Sequence, residues 1–477
     1  MKKRSLLSAI VVCFLYSCAE SEVDSNLDSA ISDKREQKRE PFASNYSAMS
    51  SNLTLIKNAN IYDGIGNVYF NYDVLFDNGN IINIGKDIAV ENAITFQSDN
   101  KWLTPGIIDI HSHMGVYPAP GVRTSSDGNE ATDPITAEVW AEHSVWTQDP
   151  QFTLALKGGV TAFHVLPGSA NLMGGRGATF KNVPRNTIHD MKFPNAPHSL
   201  KMACGENPKR VYGNRGQAPS TRMGNMAGFR KAWIRAENYK KLQAEYYEKS
   251  PSARELLEPP MRDLQLDTLA GVLDGSILVQ NHCYRADEMA MMIEMSHEFN
   301  YQITAFHHAV EAYKIADLLA DEGICGALWA DWWGFKHEAY DMVPANIAIV
   351  DQARGGTGCA IVHSDDEVGI QHLNQEAAKA LIAGIRAGYD ISKARAMRWI
   401  TSNPAIAAGI FDQTGSIEVG KDADLVIWSG DPFSVYSIAE KVFIDGALAY
   451  DYFKDSSQPV TDFDLGILNP TSERIVQ

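Results

Sequence analysis

Residues 104–115 read TPGIIDIHSHMG, a short apolar run that ends in two histidines separated by one serine. Side chains alternate along a β-strand, so His111 and His113 share a face with Asp109 behind them, while Ile108, Ile110 and Ser112 take the other. Two imidazoles on one face make a clamp for a metal ion. Two histidines held by ordinary hydrogen bonds in a core fit this stretch equally well. The rest of the chain decides between them.

Short apolar segments at 107–111, 160–166, 200–204, 276–282, 302–307, 324–330 and 359–363 alternate with stretches of helical period, among them ADEMAMMIEMSHEF (286–299) and LNQEAAKALIAGIRAG (373–388). Strands alternating with helices imply the α/β class, with a parallel sheet covered by helices. An eighth strand is expected within 207–275. The chain ends differ: LTLIKNANIYDG (53–64) and NYDVLFDNGNIINIG (71–85), like AEKVFIDGALAYD (439–451), are alternating runs broken by Asp-Gly and Asn-Gly turns. They are expected to form one small β-lobe together. At 477 residues the chain has room for that lobe beside a barrel of about 250 residues.

Hydrophobic content of 45% and charged content of 21% are ordinary globular values. The N-terminus, MKKRSLLSAIVVCFLYSC, has a basic start and an apolar stretch too short to span a bilayer comfortably. It reads as a secretory signal over 1–17. Leu15 to Cys18 resemble a bacterial lipobox, so Cys18 is expected to carry a lipid that anchors an exported protein in the cell envelope, periplasm-facing or at the cell surface. A plain signal peptide with a coincidental cysteine is the alternative. Residues 18–51, Ser-rich and charged, read as a flexible tether. Losing 1–17 removes Lys2, Lys3 and Arg4 and no acid, which takes the formal charge from −17 to −20. So acidic a chain is not expected to bind nucleic acid. Cys204, Cys283, Cys325 and Cys359 lack the paired spacing of a zinc ribbon or redox motif and read as small buried hydrophobes, with one disulfide open to an exported protein.

In a barrel of this type chemistry gathers where the strands end. The polar residues ending these runs are His111 and His113, Glu206, His282, His307 and His308, and Asp365. Nitrogen and carboxylate donors from separate strands suit a divalent transition metal. With those residues in place, the chain resembles the amidohydrolase superfamily, above all its imidazolonepropionase-like and dipeptidase-like members. PGIIDIHSH (105–113), GGVTAF (158–163), HSDD (363–366), TSNPA (401–405) and GSIEVGKDADLVIW (415–428) follow in that family's order, over roughly residues 53–452.

The resemblance implies a (β/α)8 TIM-like barrel over 105–404, a β-sandwich lobe from 52–104 and 405–452, and a tail at 453–477. It implies one or two divalent metal ions, zinc first and iron or manganese next, and hydrolysis of a C–N bond in a small molecule. Carried onto this sequence, His111 and His113 with Asp365 hold one ion, His282 and His308 a second, and Glu206 bridges them. Many members bridge with a carboxylated lysine. Regular alternation puts Lys201 on the face opposite Glu206 and Cys204 on the same face, which favours Glu206, with Cys204 as a rival and a single-metal site as an alternative. His308 is preferred to His307 because the family's pattern starts from HAVEAYK, and Asp365 to Asp366 because it directly follows the strand and its serine. His164 and His363 receive no ligand role. A bound ion lowers the pKa of water from about 15.7 to about 7, and Asp365 is expected to take the water's proton and deliver it to the leaving nitrogen.

For substrate contacts, Arg176 in the glycine-rich LPGSANLMGGRGATF (166–180) could hold an anion, and Arg210, Tyr212 and Arg222 lie downstream of Glu206. Trp329, Trp332, Trp333 and His337 read as an apolar wall or lid. Two other functions suit the same residues: deamination of a ring compound, and ligand capture by an anchored binding protein without turnover.

Overall fold

The computed structural model describes residues 42–454, and those from Ser44 onward belong to one compact unit. The signal at 1–17, Cys18 with the tether up to residue 41, and the tail beyond 454 lie outside the described residues. The last part of the expected tether is held to the body. Ser44 Oγ donates to the Lys192 carbonyl at 2.6 Å, the Asn45 amide to the His189 carbonyl at 2.9 Å, and the Tyr46 hydroxyl to Asp445. Among the described residues no helix is long and apolar enough to cross a membrane.

The strands, in chain order, are β1 Thr54–Tyr62, β2 Val68–Asp77, β3 Asn80–Gly85, β4 Ile94–Gln97, β5 Trp102–Pro105, β6 Ile107–Ser112, β7 Val160–Val165 and β8 Met173–Lys181. They continue as β9 Ser199–Ala203, β10 Leu278–Cys283, β11 Ala305–His308, β12 Cys325–Leu328, β13 Ala360–Val362, β14 Leu425–Trp428, β15 Ala439–Ile444 and β16 Ala447–Asp451. The run β6 to β13 forms one eight-stranded sheet in sequence order. It curls into a nearly closed barrel. Its first and last strands meet through Asp109, whose carboxylate accepts the Ser364 hydroxyl and, at 3.3 Å, the Ser364 amide. The Asp365 amide adds a bond to the His111 carbonyl at 3.0 Å.

The eighth strand is not in 207–275. That interval instead carries most of the helix Glu206–Gly213 and the helices Arg222–Tyr247 and Leu264–Leu273. The missing strand is β8, inside the glycine-rich segment, and it runs antiparallel to both β7 and β9. Connection length explains the direction. A parallel crossover needs a dozen or more residues, usually with a helix, whereas β7 reaches β8 through 166–172 alone. The return through 182–198 is long enough for a crossover but holds only the short turn Ile188–Asp190 and no covering helix, and β9 pairs antiparallel again. From β9 to β13 the strands are all parallel.

Both chain ends build the second sheet, in the order β16-β15-β14-β5-β1-β2-β3 with β4 beside β1. Ile56, Val74, Phe76, Leu103, Leu425, Ile427 and Phe443 form its core. Sheet and barrel meet at Lys181, the last residue of β8. Its ammonium contacts Asp422 at 2.7 Å, Asp424 at 3.4 Å and Asp445.

The four cysteines are not free hydrophobes. Cys204 pairs with Cys283 and Cys325 with Cys359. Each bond ties neighbouring parallel strands, β9 to β10 and β12 to β13.

Candidate functional site

The donors collect at the C-terminal ends of the barrel strands. Regular alternation would send His307 and His308 to opposite faces, yet both rings lie beside His111, at 4.7 and 4.9 Å between centroids. The backbone makes this happen: His308 has φ +68° and Asp365 φ +57°. Left-handed conformations are uncommon outside glycine and collect where the surroundings enforce a functional geometry.

Two triads result, each bringing three donor atoms within 4.8 Å of one another: His111, His113 and Asp365, and His111, His308 and His363. Asp365 Oδ1 is 3.2 Å from His111 Nε2 and 3.0 Å from His113 Nε2, and its Oδ2 is 4.0 Å from His308 Nε2. Burial pushes the Asp365 carboxyl up, but the imidazoles of His308 and His113 outweigh it and hold the group below the ordinary carboxylate range. Burial drives His111, His282 and His308 well below the ordinary imidazole value and His363 to about 3, so these rings are neutral. Neutral imidazole is the form that binds a metal.

The donor set fits a divalent ion on a second count. The buried Nδ1 atoms of His282 and His308 and both ring nitrogens of His363 have no hydrogen-bond partner among the described residues. Buried polar atoms are rarely left so, and nitrogen lone pairs converging with a carboxylate are what zinc-type ions take.

A chain of hydrogen bonds behind the site fixes the proton on His111. Gln280 Nε2 donates to the Ala407 carbonyl at 2.8 Å, which turns its Oε1 toward His307 Nε2 at 2.7 Å. His307 therefore donates from Nε2 and accepts at Nδ1, which lies 2.9 Å from His111 Nδ1. The proton on His111 sits at Nδ1 and its Nε2 lone pair faces Asp365. Because such outer partners typically govern affinity about 10- to 100-fold, Gln280→Leu is expected to weaken metal binding by that factor in a chelator competition. Unchanged affinity would remove the relay.

Lys201 is the residue that strand parity misses. It is fully buried, its Nζ lies 3.2 Å from His111 Nε2, and burial pulls its ammonium down to about 7. Glu206 is not in either triad. Its carboxylate is 3.8 Å from the Lys336 ammonium. Alternation fails here because β9 ends at Ala203 and Gly205, at φ +78°, turns the chain into the helix that Glu206 begins. Parity does not survive such a turn. Cys204 is ruled out as a bridge by its disulfide. A lysine inside the wholly buried run SLKMA is the available signal, since lysine is almost never fully buried without a partner.

His282 lies beside the triads, its ring 4.6 Å from that of His308. His307 is the outer partner just described, and His164 is a satisfied core residue bonded to Thr179 at 2.8 Å and Ser199 at 2.7 Å. Asp366 accepts the amides of Gly369 and Val368 instead of facing the triads.

The expected substrate contacts are mostly engaged elsewhere. Arg176, on strand β8 and not on an open loop, lies 4.4 Å over the Trp140 ring and donates to Thr268 at 2.8 Å. Tyr212 is buried and donates to the Asp133 carbonyl at 2.8 Å, and Arg222 pairs with Glu338 and Glu288. Arg210 is exposed on the helix Glu206–Gly213. Of the expected wall, Trp329 stacks on His308 at 4.1 Å and on Trp332 at 5.6 Å, whereas Trp333 is exposed and meets Tyr340 at 6.3 Å and His337 starts a short turn. Tyr284, not expected there, stacks on the His308 ring at 5.3 Å.

Known proteins are similar to this chain in sequence and fold. The Amidohydrolase family profile matches residues 372–456. The solved structure of an amidohydrolase from Thermotoga maritima MSB8 is 35% identical, with a TM-score of 0.76, over 83% of this chain and all of that one. The chain belongs to the amidohydrolase family. Another amidohydrolase, tasK of Hapsidospora irregularis, is 32% identical over 434 residues, which are 83% of this chain and 43% of that protein. This amidohydrolase thus spans less than half of that curated relative. A Xaa-Pro dipeptidase solved with bound methionine shares the fold at 17% identity and a TM-score of 0.50.

Proposed function

We propose that this amidohydrolase cleaves an amide or peptide-like C–N bond of a small molecule with the help of one or two divalent ions. The observation that carries the reading is the convergence of four imidazoles and one ionised carboxylate at the strand ends, with His308 and Asp365 on left-handed backbone. His111, His113, His308, His363 and Asp365 would hold the ions, with His282 adjacent, and we assign the bridging role to Lys201 in place of Glu206. A buried amine with so low a pKa can add carbon dioxide and so become a carboxylate donor. When bound, such an ion polarises a carbonyl and activates water at neutral pH. Asp365 takes the proton of the attacking water and returns it to the leaving nitrogen. The neutral rings of His111 and His308 compete for no proton in that exchange. Export and lipid attachment at Cys18 rest on the N-terminal sequence pattern, and the two disulfides agree with an oxidising compartment.

The test is elemental analysis of protein lacking residues 1–18, with Lys201→Ala and Glu206→Ala beside it, together with amine release from N-acyl amino acids, dipeptides and cyclic amides. One or two ions per chain are expected in the parent and in Glu206→Ala, fewer in Lys201→Ala, and amine release from at least one substrate class. No metal after reloading with zinc, iron and manganese would overturn the reading. Ammonia release from ring compounds alone would turn it into a deaminase.

A further inference from the structure

Lys336 lies in the connection after β12, at the mouth of the barrel and outside both triads. Its side chain is only 18% exposed, an uncommon condition for a lysine. The ammonium carries three N–H donors. Among the described residues it makes one hydrogen bond, to Asn207 Oδ1 at 2.9 Å, and the Glu206 carboxylate at 3.8 Å is beyond hydrogen-bonding reach. The position is tied to the site from two directions. Asn207 Nδ2 lies 3.4 Å from His282 Nε2, and the ammonium sits 4.1 Å above the Tyr284 ring that stacks on His308. The surrounding walls are aromatic: Phe335 meets Trp329 edge-on at 5.7 Å, and Phe335 and Trp332 remain 57% and 38% exposed.

We propose that Lys336, steadied by Asn207, is the residue that selects substrates bearing a free carboxylate next to an apolar side chain. The inference rests on the hydrolase reading for its reaction but not for its binding. A carboxylate entering between Phe335 and Trp332 completes the under-used donors of the ammonium, and the aromatic faces take the apolar group beside it. The amide bond of an N-acyl amino acid would then lie on the side of the triads, with the amino acid as the leaving half. A charge-assisted hydrogen bond at so shielded an ammonium discriminates against a neutral isostere, because a carboxamide keeps one acceptor oxygen but loses the negative charge and puts N–H donors where the second oxygen would accept.

The experiment uses N-methylsulfonyl-L-leucine, which an amidohydrolase does not cleave, and its carboxamide. Binding to the full chain is read from tryptophan fluorescence. The carboxylate is expected to bind at least about tenfold more tightly than the carboxamide, with the preference lost in Lys336→Met and partly kept in Lys336→Arg. Equal binding by the parent protein, or a preference untouched in a folded Lys336→Met, overturns the proposal. If Lys336→Met does not fold, the parent comparison and Lys336→Arg still decide. Turnover of N-acetyl-L-leucine and its carboxamide is followed in parallel. Carboxylate preference with no hydrolysis of these compounds or of the dipeptides and cyclic amides above would sink the hydrolase reading and leave the subsite standing, and hydrolysis indifferent to the carboxylate would do the reverse.

Discussion

Asp365→Asn is expected to lower kcat by about 10²- to 10⁴-fold, the range that a positioned general base contributes, while leaving most of the bound metal in place. The two effects separate because asparagine keeps an oxygen donor at the same position but cannot take a proton. The parent carboxylate is placed for proton transfer, since its left-handed backbone sets Oδ1 3.0 Å from His113 Nε2 and Oδ2 4.0 Å from His308 Nε2. Asp366→Asn is the control. Asp366 accepts backbone amides of the following turn, at 2.6 Å from Gly369 and 3.2 Å from Val368, and an asparagine oxygen still accepts there. Steady-state kinetics and elemental analysis of both variants decide the matter. Full turnover in Asp365→Asn, or collapse confined to Asp366→Asn, would pass the role to the neighbour.

Parts of this site are legible in the sequence because strand ends are legible. His111, His113, His308 and Asp365 each follow an apolar run, and the structure brings all of them to one place. The expectations that fail each extend a period past the point where the backbone keeps it. Counting twos from Lys201 misplaces Glu206, because the count crosses Gly205, where φ is +78°. His363 directly follows β13, two residues before Asp365, yet a histidine next to a strand end gives no sign of which way the barrel seam turns it. The strand β8 is hidden by its glycines. Gly174, Gly175 and Gly177 suggest a ligand loop, yet a Cβ on Gly177 would meet Leu166 at 2.7 Å, Ser199 at 2.8 Å and His164 at 2.9 Å. Gly177 serves close packing of an antiparallel strand, a use that composition does not distinguish from loop flexibility.

The junction between barrel and second sheet carries the other large effect. Lys181→Met is expected to cost about 3–5 kcal/mol of stability, because it strands buried carboxylates that converge on that ammonium. Burial alone would lower the Lys181 pKa, but Asp424, Asp445 and Asp422 raise it above the ordinary lysine value, so in the parent the cation persists across the accessible pH range. Asp424 sits on the opposite side of the balance. Its burial lifts it to about 6 even with the lysine present, and without the lysine it rises further. A carboxyl whose folded pKa exceeds its unfolded value binds more protons in the folded state, so the stability of the variant falls as pH rises through that value and recovers as pH drops below it. The deficit of Lys181→Met relative to the parent should therefore be greatest at about pH 7.5 and shrink toward about pH 5. Urea denaturation of both proteins at the two pH values measures it. Methionine keeps most of the apolar stem in place, so the comparison isolates the charge from the packing of the side chain. A deficit that is independent of pH would assign the loss to packing around β8 and not to the three aspartates.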